Sequence, residues 1–379
     1  MIIKRLKSYN YKRLNVLLIM AVLALSYIGI KVVDSASMGG GHGKKQLLGV
    51  IIGVAGMTFM ALVDYNFLGK YYWSIYIFDL LLLALVIVKG DNHMGAKRWI
   101  SIGGGLSFQP SEVAKALLIF FLAKLLTVCI KQVNKLKFLA LYAILCGMHL
   151  LLILAEPDLS TTILTATIAF TLIYCAGLSY RYILTAVAVL IPLLAGLYIY
   201  ISQPGLNDKS LIKPYQRDRI MAFIKPQDYS DDRYQQDNSV LAIGSGKLYG
   251  KGLNNNDPSS VKNAGFLPEP HTDFISAVIG EELGFIGLAV CISLLFIIVV
   301  LCIITGLTAK DFFGKLICMG VASWIGMQTF INIGVATEIL PNTGVSLPFL
   351  SYGLTSIVAL YGGIGMVLNV SLNRGKKES

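Results

Sequence analysis

Long apolar runs recur along the whole chain, and polar residues gather in the gaps between them. Ten runs are each suited to crossing a hydrocarbon core of about 30 Å: residues 14–33, 47–63, 73–88, 111–130, 138–155, 159–177, 182–201, 274–304, 312–337 and 347–371. The pattern predicts an all-α polytopic membrane protein of about ten transmembrane helices, with residues 1–379 forming a single membrane domain. The run at 47–63 is short, and Glu156-Pro157-Asp158 breaks what would otherwise be one apolar stretch from 138 to 177. One gap is far longer than the others, residues 202–272 between the seventh and eighth runs. A connection of that length is usually functional or disordered. Tyr215, Tyr229, Tyr234 and Tyr249, balanced charges and the glycine-rich AIGSGKLYGKGL (Ala242 to Leu253) favour an ordered cap. No tandem repeat is visible, which disfavours inverted-repeat transporter folds.

Composition agrees with the pattern. Of 379 residues, 55% are hydrophobic and 14% charged, well below the roughly one quarter charged in soluble domains. The net charge of +11 raises the question of nucleic acid, and the positions of the basic residues answer it. Lys4, Arg5, Lys7, Lys12 and Arg13 precede the first run. Lys131, Lys135 and Lys137 follow the fourth, Lys310 and Lys315 the eighth, and Arg374, Lys376 and Lys377 close the chain. With ten spans all of these lie on one side, which the positive-inside rule makes cytoplasmic, so both termini are expected there and no nucleic acid is implied. The gaps at 89–110, 202–272 and 338–348 then share the outer face with Asp273. The first run is too long for a signal-peptide core, although Ser35-Ala36-Ser37 resembles a cleavage site. Cys129, Cys146, Cys175, Cys291, Cys302 and Cys318 lie in or beside apolar runs without CxxC spacing, and read as packing residues.

Ionisable residues at a bilayer edge are costly unless used or paired. Asp273 begins the eighth run, with His271 two residues before it; the plainer reading is a helix cap and a polar loop residue. Glu281 and Glu282 lie about 12 Å further along the same helix, where interior pairing is the simpler expectation than catalysis. Pro110 suits a first helical turn and Glu112 favours the dipole there. Glu112 and Lys115, three apart, share a face, as a functional pair or as a capping acid with a snorkelling lysine; Lys124 reads as snorkelling. Arg98-Trp99 suits a phosphate at headgroup level or an ordinary interfacial anchor. Asp158 falls on the same side as Asp273. Gln328 and Asn332, four apart, read as interhelical hydrogen-bonding groups, with Ser351 and Tyr352 in a similar position. P-loop, GxGxxG, HExxH and GxSxG patterns are absent, which disfavours nucleotide-driven, metalloprotease and serine-hydrolase chemistry.

GAKRWISIGGGLSFQPSEVAK (Gly95 to Lys115), EPDLSTT (Glu156 to Thr162), AIGSGKLYGKGL, FLPEPHTDFISAVIGEELGFIG (Phe266 to Gly287) and PNTGVSLPFLSYGLTS (Pro341 to Ser356) occur in this order. Together they resemble the SEDS family of RodA, FtsW and SpoVE over nearly the whole chain. LIKPYQRDRI (Leu211 to Ile220) and the short C-terminal segment are more like RodA, whereas PEPHTD also suits the FtsW and SpoVE branch. The chain departs from the family pattern at Gly246-Lys247-Leu248, where a second glycine is common, and at Gly353-Leu354-Thr355, where GGS is frequent.

The resemblance implies a multi-pass protein of the bacterial cytoplasmic membrane. The implied activity is a peptidoglycan glycosyltransferase that polymerises lipid II on the outer face, beside a class B penicillin-binding protein. It makes Asp273 the catalytic carboxylate and places Arg98, Trp99, Glu112, Lys115 and Asp158 at the substrate, with His271 beside Asp273. An α-linked diphosphate donor and a β(1→4) product require inversion, hence a base for the acceptor hydroxyl and positive charge for the leaving group. A divalent cation, magnesium or manganese, could share the second task, although no dedicated metal cage can be read from the sequence. Flipping of lipid II and non-catalytic scaffolding remain the alternatives.

Overall fold

The computed structural model describes residues 13–37, 40–93, 96–103, 106–202, 214–255, 258 and 260–373. The basic residues Lys4, Arg5, Lys7, Lys12, Arg374, Lys376 and Lys377, and residues 203–213 of the long connection, lie outside the described residues. Helices occupy the apolar runs: α1 (Val16–Ala36), α2 (His42–Leu62), α3 (Tyr72–Lys89), α4 (Pro110–Val128), α5 (Leu136–Ala155), α6 (Leu159–Cys175) and α7 (Tyr180–Ile201). Beyond the long connection come α10 (Ile275–Leu307), α11 (Phe312–Ala336) and α12 (Leu354–Leu372), while α8 (Pro214–Ile224) and α9 (Ser230–Ser245) lie within it. Among the described residues, eight helices are long and apolar enough to cross a membrane. The helix at the fourth run, α4, carries Glu112, Lys115 and Lys124, and α6 at the sixth run has 17 residues. The protein is a helical, polytopic membrane protein.

Two details differ from the hydropathy reading. Residues 91–93, 96–103 and 106–108 form a three-stranded antiparallel sheet, β1 (Asp91–His93), β2 (Ala96–Gly103) and β3 (Leu106–Phe108); strands this short give too little alternation to register as a period. The last run begins in irregular backbone, and α12 starts only at Leu354. Leu347 N donates to Ser351 Oγ (2.7 Å) and Tyr352 N to His271 O (2.8 Å), so residues 347–353 are committed to other bonds before the helix starts.

Connections gather at two ends. One end carries the sheet, the 156–158 turn, the long connection and residues 337–353. At the other, Tyr65 OH donates to Asp311 Oδ2 (2.7 Å), Tyr65 N to Asn369 Oδ1 (3.1 Å) and Asn134 Nδ2 to Gly177 O (2.9 Å). Within the bundle, α12 lies along α2, and α10 packs on α11 and α1. His149 Nδ1 and Asp79 Oδ2, 2.6 Å apart and fully buried, join α5 to α3.

The long connection is fastened to α10 at a break in that helix. Gly284 has φ +68, interrupting the helical hydrogen bonds. The freed groups find partners in the connection: Phe285 N donates to Lys247 O (2.9 Å), Ile286 N to Leu248 O (3.2 Å), Lys251 N to Glu281 O (2.9 Å) and Gly252 N to Glu282 O (2.9 Å). Irregular backbone at membrane depth is tolerated in this way, when protein rather than lipid satisfies it. Glu281 and Glu282 pair with the same connection: Lys251 Nζ is 2.8 Å from Glu281 Oε1 and Lys262 Nζ 2.5 Å from Glu282 Oε1. Ser35 Oγ of α1 donates to Glu282 Oε1 as well (2.5 Å), so the two buried glutamates find interior partners, as expected, and tie the cap to the bundle.

The glycines of AIGSGKLYGKGL permit this approach. A Cβ on Gly246 would lie 1.9 Å from Gly280 O, whereas one on Gly244 would meet nothing within 4 Å. Gly246→Ala must therefore push the connection off α10, at an expected cost of about 3 kcal/mol, the upper part of the range for overpacking. Thermal denaturation of the detergent-solubilised protein tests this, with Gly244→Ala as the control; equal melting temperatures for both variants would refute the packing role. Lys247, at φ +50, occupies the left-handed region, which explains why glycine is common there in the resembling pattern.

Candidate active site

A cavity of about 730 Å³ opens at the end of the bundle that carries the sheet and the long connection. Arg98, Trp99, Glu112, Lys115, Asp158, His271 and Asp273, which belong to three separate motif segments, all line it. So do His42, Arg219, Glu269, Gly344 and Tyr352, which the sequence reading did not single out as site residues.

Asp273 sits one residue outside the cap of α10. The cap position is Phe274, without a side-chain capping bond, so the simple N-cap reading of Asp273 does not hold. Asn332 Nδ2 donates to Asp273 O (2.8 Å) and to Val345 O (2.6 Å), tying the aspartate's backbone and residues 341–348 to α11. Gln328 assists, donating to Ser346 O (2.9 Å) while accepting from Trp324 Nε1 (2.7 Å). Ser351 Oγ donates to Thr272 O (2.7 Å). Position 344 must be small: φ is +61, and a Cβ there would lie 2.9 Å from Asp273 Oδ2. The carboxylate is thus held through its backbone, and its oxygens make no hydrogen bond or ion pair with the described residues. Burial pushes its pKa up to about 6; Arg219 and Arg98 oppose the rise, while Glu269 and Asp158 add to it.

Beside it, the His271 ring packs against His42 (centroids 4.5 Å) and Tyr352 (5.5 Å), with Nε2 3.4 Å from Glu269 Oε2. Burial lowers the His271 pKa, Glu269 opposes that and His42 reinforces it, so the imidazole is neutral near pH 7. Tyr352 N bonding to His271 O also sets where the HTD segment crosses the rim.

The cations of the cavity differ in how they are committed. Lys115, 1% exposed, places Nζ 2.8 Å from Glu112 Oε1 and 5.2 Å from the Trp324 ring centroid. The pair is interior, so the capping and snorkelling readings fail for these two residues. The same face nonetheless contributes to the cavity wall. Arg98, on β2, is turned onto the break between α5 and α6. Its Nε donates to Glu156 O (3.2 Å), Nη2 to Pro157 O, and Nη1 lies 3.5 Å from Asp158 Oδ2. Asp158 also caps α6, its Oδ1 accepting from Thr161 N (3.0 Å). Burial raises the neighbouring Glu156 pKa to about 8, Asp158 adding to the rise and Arg98 opposing it, so near pH 7 Glu156 is largely neutral and Asp158 balances Arg98. Arg98 and Asp158 therefore brace the wall, which departs from the expectation of a guanidinium free to clamp phosphate. Among the described residues, no group of three or more His, Cys, Asp or Glu side chains is placed to hold a metal ion.

The model for the cell cycle protein family of FtsW, RodA and SpoVE matches residues 11–376. The chain belongs to this family. Among its relatives, a probable peptidoglycan glycosyltransferase FtsW of Geobacter sp. (strain M18) is 34% identical, the alignment covering 97% of this chain and 98% of the relative. A probable peptidoglycan glycosyltransferase FtsW of Bacillus subtilis (strain 168) is 33% identical, over 100% of this chain and 96% of the relative. Two solved structures are each 26% identical, covering 98% of this chain and 99% of theirs. One, from a peptidoglycan synthase complex described as coordinating polymerization and crosslinking, has a TM-score of 0.78. The rod shape determining protein RodA of Thermus thermophilus has a TM-score of 0.69. The sequence relatives carry the FtsW name and the Thermus structure the RodA name, so these likenesses establish the family and not the branch.

Four of the five motif segments, far apart in sequence, line this one chamber, and the fifth, AIGSGKLYGKGL, packs on α10 instead. His42 and Arg219 have no comparable local signal. His42 follows a glycine run, and Arg219 lies in the LIKPYQRDRI segment, where only its position in the folded cap distinguishes it from Arg217.

Proposed function

We propose that this protein is an inverting peptidoglycan glycosyltransferase that polymerises lipid II at the outer face of the bacterial cytoplasmic membrane. The observation that carries the reading is the Asp273 carboxylate, fixed through its backbone, lacking a partner among the described residues and facing a chamber that also contains cationic side chains. The basic connections place the opposite end of the bundle in the cytoplasm. A polyprenyl tail can then remain among the helices while the sugars occupy the cavity.

In this reaction the acceptor C4 hydroxyl oxygen attacks the anomeric carbon of the donor from the face opposite the diphosphate. The C1–O bond to the diphosphate breaks and its electron pair leaves with that oxygen. The hydroxyl proton passes to an Asp273 carboxylate oxygen. Each transfer thus converts an α-linked donor into a β(1→4) bond and releases undecaprenyl diphosphate. Lys115 supplies positive potential from the wall, and the neutral His271 can accept or donate a hydrogen bond to a sugar hydroxyl. A magnesium or manganese ion would aid the leaving diphosphate, but Asp158 and Glu112 are occupied by Arg98 and Lys115. A class B penicillin-binding protein, which would crosslink the glycan as it emerges, is the proposed partner.

Incubating the purified protein with labelled lipid II, alone and with its cognate penicillin-binding protein, tests the reading. Glycan polymer is expected. Lipid II that crosses a bilayer without being joined would instead establish a flippase, and neither activity would leave scaffolding. The pH profile is a further test. A base must be ionised to act, so kcat/KM should fall about tenfold per unit as pH drops below about 6, the raised value for Asp273. An acidic limb near the ordinary aspartate value of about 3.9 would show that burial does not raise the Asp273 pKa, and a limb unchanged in Asp273→Asn would remove Asp273 from the role.

A further inference from the structure

The described residues place Arg98, Lys115 and Arg219 around the cavity, and two of them are already committed. Arg98 bonds to the carbonyls of Glu156 and Pro157 and pairs with Asp158; Lys115 is interior and paired with Glu112. Arg219, on α8, is exposed and makes no ion pair or hydrogen bond with the described residues. The contrast within α8 is instructive. Arg217, two residues earlier, donates from Nε to Ile201 O (2.9 Å) and lies 3.4 Å from Asp218 Oδ1 through Nη1, stitching the cap to the end of α7. One arginine of the segment thus holds structure while the other lines the chamber with no hydrogen bond or ion pair to the described residues.

Asp273 lies close enough to Arg219 for the arginine to be the foremost charge favouring its ionised form. No ion pair or hydrogen bond joins the two, and both line the same cavity. A planar guanidinium with free donors matches the paired oxygens of a diphosphate. Since this cation belongs to the cap and not to the membrane helices, it can meet a diphosphate at headgroup level while the attached sugar reaches Asp273.

We propose that Arg219 is the residue that binds the lipid-linked diphosphate of the donor and takes up the charge released onto it as the C1–O bond breaks. The inference rests on the glycosyltransferase reading above. It moves the phosphate-binding role from Arg98, where the sequence motif put it, to the cap. Arg98 then acts as a positioning residue, holding the turn that carries Asp158.

The test compares wild type, Arg219→Gln and Arg219→Lys as full-length protein with its partner, using undecaprenyl diphosphate and the uncharged alcohol undecaprenol as binding probes. Arg219→Gln should weaken undecaprenyl diphosphate binding at least tenfold without changing undecaprenol binding or the melting temperature. Polymerisation should fall about 10²-fold, the range seen on removing one donor to a developing negative charge. Arg219→Lys should recover part of both losses. The acidic limb of the pH profile should move upward in Arg219→Gln, because a charge favouring ionised Asp273 has gone; a purely structural arginine would leave it in place. Undecaprenyl diphosphate binding in Arg219→Gln equal to wild type would overturn the inference, whatever the effect on rate. A wild-type protein that binds the diphosphate lipid through Arg219 but forms no polymer would uphold Arg219 as the diphosphate-binding residue and overturn the glycosyltransferase reading, and with it the role in bond breaking.

Discussion

Replacing Asp273 with asparagine is expected to reduce lipid II polymerisation by about 10²- to 10⁴-fold, the usual contribution of a positioned general base. The substitution preserves shape and removes only the ability to accept the proton. The fold should tolerate it, because what fixes this residue is the bond from Asn332 to its carbonyl oxygen, which asparagine retains. Asp273→Glu should not restore activity. The carboxylate already lies beside Gly344, where even one added carbon would approach to 2.9 Å, so a longer side chain has to turn away from that position. Polymer yield measured at equal protein and partner concentration, with melting temperature alongside, separates catalysis from folding. Near wild-type polymerisation by Asp273→Asn would eliminate the base assignment.

The second large effect is expected at the buried pair. Glu112→Ala leaves the Lys115 ammonium, 1% exposed, without its carboxylate. Breaking such a pair from one side costs about 3–5 kcal/mol, because the surviving charge has lost both water and partner. The Trp324 ring, 5.2 Å away, offsets only part of this, cation–π contacts being worth about 0.5–2 kcal/mol. The melting temperature of Glu112→Ala should therefore fall markedly. Replacing both residues, with Glu112→Leu and Lys115→Met, removes the charges together and should recover much of the stability. If Lys115 also supplies potential to the diphosphate, the double variant should fold and still polymerise poorly. Recovery of both stability and rate would confine the pair to a structural role, and undiminished stability of Glu112→Ala would refute the pairing argument.

Much of the candidate site was legible in the sequence, and the reason is local. Asp273, His271, Arg98, Trp99, Glu112, Lys115 and Asp158 are polar or amphipathic residues at the ends of apolar runs, where membrane physics makes them conspicuous, and all seven line the cavity. The work each side chain performs was less legible. Arg98 looked like a phosphate fork and is turned onto the carbonyls of residues 156 and 157. Asp273 looked like a helix cap and is not one. Glu281 and Glu282 were expected to find interior partners and do, but those partners are Lys251 and Lys262 of the cap together with Ser35 of α1. In each case the partner is remote in sequence, so spacing along one helix could not reveal it.

The sequence by itself determined the membrane class, the positions of the apolar helices, the orientation signal and the family, because these follow from hydropathy summed over about 20 residues, from charge in the connections and from contiguous motifs. Tertiary structure alone decided which polar groups are spent and which are free. The His149–Asp79 pair spans 70 positions, and the α10 break is satisfied by residues 247–252. Arg219 is distinguished from Arg217 only by where α8 comes to lie. Burial and hydrogen bonding depend on what lies across the gap, and residues far apart in the chain meet there only after the helices have packed.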